Sequence, residues 1–216
     1  MTRICGVDEA GRGPVIGPLV VAGVLVEDDE YLREIRVRDS KKLSGKRREE
    51  LAGKILEGAE CEIQVVPAED IDEMRRLMTI NELEARIFAT VLEKLKPDVA
   101  YLDSADVNCK TFESSVRKGL DFDFELICEH KADEIFPVVS AASIIAKERR
   151  EEEVRKIREE LGEEIGSGYP ADPITIEFMQ RWISEKGVFP PHTRRSWETA
   201  RRMLSESKIK KLEEFQ

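Results

Sequence analysis

The stretch from which the rest of this chain can be interpreted is Ile4-Cys5-Gly6-Val7-Asp8-Glu9-Ala10-Gly11-Arg12-Gly13. A short apolar run ends in two adjacent carboxylates and continues into a loop in which two glycines flank an arginine. The pattern predicts a strand over residues 3–8 that ends in acids. Such a strand end offers metal ligands beside backbone donors that suit a polyanion.

Similar patterns further along the chain predict the remaining elements. Apolar or alternating runs indicate four more strands, over 19–26, 61–66, 99–103 and 122–128. Helical spacing, capping residues and prolines indicate helices over 45–57, 69–77, 80–96, 111–120, 138–161, 173–185 and 197–205. The order of strands and helices predicts an α/β fold, a mixed sheet flanked by helices.

Composition limits the classes of protein that the chain can represent. Its 216 residues suit one large domain, or one domain with a modest appendage. The net charge of −10 argues against a sequence-blind coat for nucleic acid, but the charge is uneven. Residues 181–216 hold nine Lys or Arg against five Asp or Glu, which allows a local site for a polyanion.

The sequence also predicts a cytoplasmic protein. No run approaches the ~18 apolar residues that a membrane span needs, so no membrane association is expected. No export signal is visible either. The four cysteines form no C-x-x-C pair, which favours reduced thiols over a zinc site.

Acids at the ends of predicted strands form a candidate catalytic centre. Asp8 and Asp103 each end a strand, and Asp133 follows the fifth strand. Carboxylates at neighbouring strand ends converge on one point, and oxygen ligands select hard cations such as Mg²⁺ or Mn²⁺. Glu9 reaches the same point only if the strand ends at or near it, because adjacent strand residues face opposite ways.

With these residues in hand, the chain resembles the ribonuclease HII (type 2 ribonuclease H) family over nearly its whole length. Six motifs in order carry the resemblance. They are Gly6-Val7-Asp8-Glu9-Ala10-Gly11-Arg12-Gly13-Pro14, Asp39-Ser40-Lys41-Lys42-Leu43-Ser44, Leu102-Asp103-Ser104, Lys131-Ala132-Asp133 running into the segment 137–147, Gly166-Ser167-Gly168-Tyr169-Pro170, and His192-Thr193-Arg194-Arg195-Ser196-Trp197.

The resemblance implies an architecture and a reaction. It implies a ribonuclease H-like catalytic core over 1–165 and a helical C-terminal portion over 166–216 with a substrate-contacting loop. It also implies endonucleolytic hydrolysis of the phosphodiester on the 5′ side of a ribonucleotide, leaving a 3′-hydroxyl and a 5′-phosphate. The implied substrates are RNA–DNA hybrids and single ribonucleotides embedded in duplex DNA, as in removal of RNA primers and misincorporated ribonucleotides.

The resemblance assigns roles to particular residues. Four metal-associated acids map onto Asp8, Glu9, Asp103 and Asp133, which would act in two-metal-ion catalysis with Mg²⁺ or Mn²⁺. The sensor of the ribonucleotide's 2′-hydroxyl maps onto Gly11, Arg12, Gly13 and Tyr169. Lys41, Lys42, Ser143 and Lys147 are expected phosphate contacts. For Arg194 and Arg195 the sequence leaves two roles open, contact with backbone phosphate or pairing with the acidic body.

The end of the chain is similar to a sliding-clamp-binding peptide, with Leu212 and Phe215 as apolar anchors. It departs from that pattern, since Ile209 stands where glutamine is usual, and a final amphipathic turn packed on the body is the alternative. A monomer is expected. Two other functions stay open at this point, namely a DNA nuclease or recombinase of the ribonuclease H-like group and a non-catalytic module that binds hybrids.

Overall fold

The computed structural model describes residues 2–37, 44–104 and 106–213, with side chains up to residue 207. The predicted phosphate contacts Lys41 and Lys42 lie outside the described residues, as does Phe215. Leu212 lies in a described helix, but its side chain falls outside the description.

A five-stranded mixed sheet forms the centre of the fold, as the strand pattern predicts. Its spatial order is β3-β2-β1-β4-β5. Strand β1 pairs antiparallel with β2 and parallel with β4, which in turn pairs parallel with β5. The strands are β1 (Ile4–Ala10), β2 (Leu19–Val26), β3 (Glu60–Val66), β4 (Val99–Asp103) and β5 (Glu125–Glu129).

The helices of the described residues confirm each long helix that the periodicity predicts. They are α1 (Glu30–Glu34), α2 (Gly45–Gly58), α3 (Ala68–Met74), α4 (Ile80–Leu95), α5 (Cys109–Arg117), α6 (Ala132–Ile135), α7 (Pro137–Leu161), α8 (Pro173–Lys186) and α9 (Glu198–Glu213). Helix α4 begins at a capping box between Thr79 and Glu82, and Lys96, the residue that follows its last turn, adopts a left-handed conformation. No helix among the described residues is long and apolar enough to cross a membrane.

The described residues fall into two compact units. The sheet unit comprises those within 1–10, 20–65 and 78–150, and the helical unit comprises those within 11–19, 66–77 and 151–216. Helix α7 continues from the first unit into the second. The predicted division into 1–165 and 166–216 stays a prediction.

Each unit has its own apolar core. In the sheet unit, buried side chains of β2 and α2 pack with the first half of α7. In the helical unit, Val15 and Ile16 pack with the second half of α7 and with buried residues of α8 and α9. The four cysteines are free thiols in the structure.

The boundaries differ from the sequence prediction where local patterns are short. Helices α1 and α6 are absent from the prediction because five and four residues are too few to show a helical period. Strand β1 extends two residues beyond the predicted end, since Glu9 and Ala10 still pair with Val21 and Val20 of β2. Helix α9 likewise extends beyond residue 205 to Glu213.

Candidate active site

Three aspartates of the sheet unit come together where parallel strands end. Asp8 lies one residue beyond Val7, which pairs with Leu102 of β4, and Asp103 follows Leu102. The register therefore places both carboxylates at the same edge of the sheet. Asp133 joins them, and carboxylate oxygens of the three residues all lie within 4.8 Å of one another. We call these residues the aspartate cluster.

A tight turn after β5 brings Asp133 into the cluster. The strand ends at Glu129, and Lys131 adopts a left-handed conformation with φ of 57° that starts helix α6. The backbone N–H of Lys131 donates to Oδ1 of Asp103 at 3.0 Å. Backbone N–H groups of Asp133 and Ala132 also donate to the Asp103 carboxylate. The start of α6 thus holds Asp103 in place and carries Asp133 towards it.

Burial and mutual repulsion make the aspartate cluster costly to ionise. Burial, with a smaller contribution from the Asp103 carboxylate, raises the pKa of Asp8 to about 7. Burial, followed by the charge of Asp133, also raises the pKa of Asp103. The cluster consists of oxygen ligands with excess negative charge, which is the donor set that Mg²⁺ and Mn²⁺ prefer. These residues therefore fit a hard divalent cation.

Helix α7 supports Asp8 from the side. Ser143 is fully buried, and its hydroxyl hydrogen-bonds to the Asp8 carboxylate, which opposes the rise in the pKa of Asp8. Nζ of Lys147 donates to Oγ of Ser143 at 2.7 Å, and its positive charge acts on Asp8 in the same direction. The resemblance predicts that Ser143 and Lys147 contact phosphate. The structure places both beside Asp8, and their contact with a phosphate stays a prediction.

Glu9 has a different position from the three aspartates. Strand β1 ends at Ala10, one residue past Glu9, and Glu9 is still paired with Val21 of β2. Adjacent residues of a paired strand face opposite sides of the sheet. Among the described residues, the cluster that could hold a metal ion contains Asp8, Asp103 and Asp133. The role of Glu9 as a fourth metal ligand stays a prediction.

The predicted sensor of the ribonucleotide lies in the helical unit. The carbonyl of Gly168 accepts hydrogen bonds from the N–H groups of Val15 and Ile16, at 2.8 and 3.2 Å. A Cβ at Gly13 would lie 3.6 Å from Cε1 of Tyr169, so the tyrosine ring borders the loop. Tyr169 keeps 39% of its surface exposed. Gly13 and Tyr169 are therefore neighbours, although they are far apart in sequence.

Sequence reasoning missed the position of Arg194. This residue is fully buried in the helical unit, and its guanidinium donates to the carbonyls of Gly11, Arg12 and Gly17. Neither role left open by the sequence, phosphate contact or pairing with the acidic body, describes these bonds. The one local signal is the aromatic Trp197 three residues later, whose ring lies 4.9 Å from the guanidinium carbon.

The fold and the aspartate cluster together define the class of protein. A ribonuclease H2 from Pyrococcus horikoshii OT3 has a TM-score of 0.89 and 44% identity, over 95% of this chain and 99% of that chain. A ribonuclease HII from Archaeoglobus fulgidus, solved in a complex with PCNA, has a TM-score of 0.86 and 44% identity, over 93% and 96% of the two chains. The chain has the ribonuclease H fold.

Sequence comparison then gives the family. The model of the family Ribonuclease HII matches residues 5–200. The ribonuclease HII of Thermococcus kodakarensis is 47% identical over 219 residues, which cover 99% of this chain and 95% of that protein. The protein of the same name from Methanocella arvoryzae is 43% identical over 218 residues, with 100% and 97% covered. This chain belongs to the ribonuclease HII family, which confirms the resemblance and supports ribonuclease H activity on RNA–DNA.

Proposed function

We propose that the protein is an endoribonuclease that cleaves the phosphodiester on the 5′ side of a ribonucleotide, by two-metal-ion catalysis. The observation that carries the proposal is the aspartate cluster, whose three carboxylates lie within 4.8 Å of one another. Such a cluster is stable in its ionised form only when cations balance it, because burial and repulsion both favour the protonated acids. Its substrates are RNA–DNA hybrids and duplex DNA that contains single ribonucleotides.

Different residues of the chain would hold the metal ions and orient their ligands. Asp8, Asp103 and Asp133 would hold Mg²⁺ or Mn²⁺, with Glu9 as the proposed fourth ligand. When bound, the ions supply activation of the attacking water and stabilisation of charge on the leaving 3′-oxygen. Ser143 and the N–H of Glu9 donate to Asp8 and so keep one carboxylate orientation. The products are a 3′-hydroxyl and a 5′-phosphate.

Selection of the ribonucleotide is assigned to Gly11, Arg12, Gly13 and Tyr169. A protein distinguishes RNA from DNA at one position through the 2′-hydroxyl. Backbone groups of a glycine loop approach a sugar where a Cβ would block them. The half-exposed ring of Tyr169 beside Gly13 supports this assignment, since it offers a face for stacking next to the loop. Removal of RNA primers and misincorporated ribonucleotides is the corresponding cellular role.

The test is cleavage of a DNA duplex that carries one ribonucleotide, in Mg²⁺, in Mn²⁺ and in chelator, with the cut site mapped. We expect a single cut on the 5′ side of the ribonucleotide with either ion and almost none in chelator. Asp103→Asn should abolish the cut, while Asp123→Asn, at an exposed acid of the sheet unit, should leave it unchanged. A cut on the 3′ side, or undiminished activity in chelator, would overturn the proposal.

The same assay separates the other functions that the sequence leaves open. A DNA nuclease or recombinase would cut an all-DNA duplex of the same sequence, and a hybrid-binding module would retain the labelled duplex without cutting it. Cleavage restricted to the ribonucleotide excludes both.

A sliding clamp is the proposed protein partner. The Archaeoglobus fulgidus ribonuclease HII was solved in a complex with PCNA, and the apolar residues Leu212 and Phe215 of this chain are the proposed anchors. A clamp pull-down should recover the full chain but not a chain that ends at residue 208. Equal recovery of the two would reject this role of the tail and leave the nuclease proposal intact.

A further inference from the structure

The guanidinium of Arg194 is bonded to the loop that we assign to the ribonucleotide. Nη2 donates to the Gly11 carbonyl at 2.6 Å, Nη1 to the Arg12 carbonyl at 2.9 Å and Nε to the Gly17 carbonyl at 3.0 Å. The side chain has no solvent exposure. Because burial of a charge is costly unless hydrogen bonds compensate it, these three bonds stabilise the buried guanidinium.

The backbone around Arg194 is held as firmly as its side chain. Its N–H donates to the Val15 carbonyl at 2.8 Å, and the N–H of Gly17 donates to the His192 carbonyl at 3.0 Å. Between these bonds, Ile16 and Thr193 form an antiparallel bridge. The segment that carries the guanidinium is therefore itself paired with the residues that follow the loop. Arg194 holds the loop from this paired segment.

Peptide geometry determines which backbone groups lie on the side of the loop away from Arg194. The peptide bonds of the described chain are trans, so the C=O and the following N–H of each peptide point in opposite directions. Since the carbonyls of Gly11 and Arg12 point at Arg194, the N–H groups of Arg12 and Gly13 point away from it. Gly11 has φ of 87°, a conformation that glycine adopts without strain.

The positive charge of the Arg194 guanidinium also makes the N–H groups of Arg12 and Gly13 stronger hydrogen-bond donors. A carbonyl that accepts a hydrogen bond from a charged group is polarised, and the N–H of the same peptide becomes a better donor. Two consecutive N–H groups on the side of the loop away from Arg194 can donate to an electron-rich oxygen. Lysine could not reproduce this arrangement, because its single ammonium lacks the planar fork that reaches several carbonyls at fixed angles.

We propose that Arg194 is a positioning residue that orients the N–H groups of Arg12 and Gly13 towards the 2′-hydroxyl oxygen of the ribonucleotide. The inference rests on the proposed function, since it requires that the loop read that sugar. It adds a buried residue that touches neither substrate nor metal but sets the preference for a ribonucleotide over a deoxyribonucleotide.

The test compares the affinities of two duplexes that differ at one sugar. Fluorescence anisotropy in chelator, at fixed salt, gives the dissociation constants for a DNA duplex with one ribonucleotide and for its all-DNA counterpart. We expect Arg194→Lys to lower the wild-type preference about tenfold, the loss expected of one or two hydrogen bonds. Arg181→Lys is the matched control, because Arg181 is a half-exposed arginine of α8 that pairs with Glu163.

A second measurement on the wild-type protein does not depend on whether Arg194→Lys folds. In ¹⁵N-labelled protein, the amide resonances of Arg12 and Gly13 should shift more with the ribonucleotide duplex than with the all-DNA duplex. Wild-type preference retained by a folded Arg194→Lys, or equal amide shifts with the two duplexes, would overturn the role of Arg194 alone. Equal affinity of the wild-type protein for both duplexes would overturn ribonucleotide reading by the loop, and this inference with it.

Discussion

Gly6 and Val138 meet backbone to backbone, with no room for a side chain at position 6. A Cβ at Gly6 would lie 2.3 Å from the carbonyl carbon of Val138 and 2.4 Å from its oxygen. This contact packs the first turn of α7 directly on β1. Because β1 carries Asp8 two residues later and α7 carries Ser143, the contact also sets the distance between them.

The first prediction is that Gly6→Ala destabilises the protein by about 3 kcal/mol, the upper range for overpacking a core, because backbone cannot move aside as a side chain does. Chemical denaturation measures the change. Gly53→Ala is the control, since a Cβ there meets nothing within 4 Å on helix α2, and alanine should stabilise an exposed helix position by about 0.5–1 kcal/mol. Similar stability of Gly6→Ala and the wild type would contradict the close contact.

The second prediction is that ionisation of the buried Asp8 carboxyl destabilises the protein in the absence of metal. Its pKa is about 7 in the folded protein and 3.8 when unperturbed, so between these values the folded state holds a proton that the unfolded state has released. Stability contributed by this group therefore falls as pH rises from about 4 to 7. Asp8→Asn removes the ionisable group and should raise the melting temperature in chelator at pH 8, with a much smaller gain at pH 4.

Thermal melts of Asp8→Asn and of the exposed control Asp123→Asn, each at both pH values, test this second prediction. If Asp8→Asn raises the melting temperature more at pH 4 than at pH 8, the predicted direction of the pH dependence is wrong. The same variant should lose cleavage, as expected where catalytic groups are retained at the expense of stability.

Much of the aspartate cluster can be predicted from sequence, because Asp8 and Asp103 end strands whose patterns are clear over several residues. Asp133 is harder, since it reaches the cluster through a left-handed Lys131 and a four-residue helix that local periodicity does not reveal. The pairing of Glu9 through Ala10 depends on β2, which no local pattern at the glycine loop encodes.

The bonds of Arg194 lie beyond sequence reasoning for another physical reason. Its guanidinium meets carbonyls 177 to 183 residues away, and carbonyl groups are identical in every residue type. A side chain that bonds to distant backbone requires no particular residue type at the other position. An ion pair requires a carboxylate there, and a carboxylate is visible in the sequence.

The third prediction distinguishes two roles of Ser143, namely hydrogen bonding to Asp8 and contact with phosphate. The Ser143 hydroxyl lowers the pKa of Asp8, so Ser143→Ala should raise that pKa and move the acid limb of the kcat/KM profile to higher pH. Ser140→Ala is the control one turn earlier in α7, where the hydroxyl donates to the Val37 carbonyl at 2.5 Å. It should cost about 1 kcal/mol of stability without moving the profile. A higher KM with an unmoved acid limb for Ser143→Ala would favour the phosphate role.

The fourth prediction concerns Tyr169, whose ring borders Gly13 in the helical unit. Tyr169→Ala should lower kcat/KM for a single ribonucleotide in DNA by about 10- to 100-fold, the range expected for loss of one aromatic stack on a nucleotide. Tyr169→Phe keeps the ring and should retain most of the activity if stacking dominates, or resemble Tyr169→Ala if the hydroxyl carries the contact.

Calorimetric titration with Mn²⁺ is the control for Tyr169, because the aspartate cluster belongs to the sheet unit and does not include this residue. The affinity for Mn²⁺ should be the same in the wild type and in both variants. A parallel loss of metal affinity and of cleavage would contradict a role in substrate recognition, since a residue that only contacts the nucleotide has no means of weakening the metal ligands.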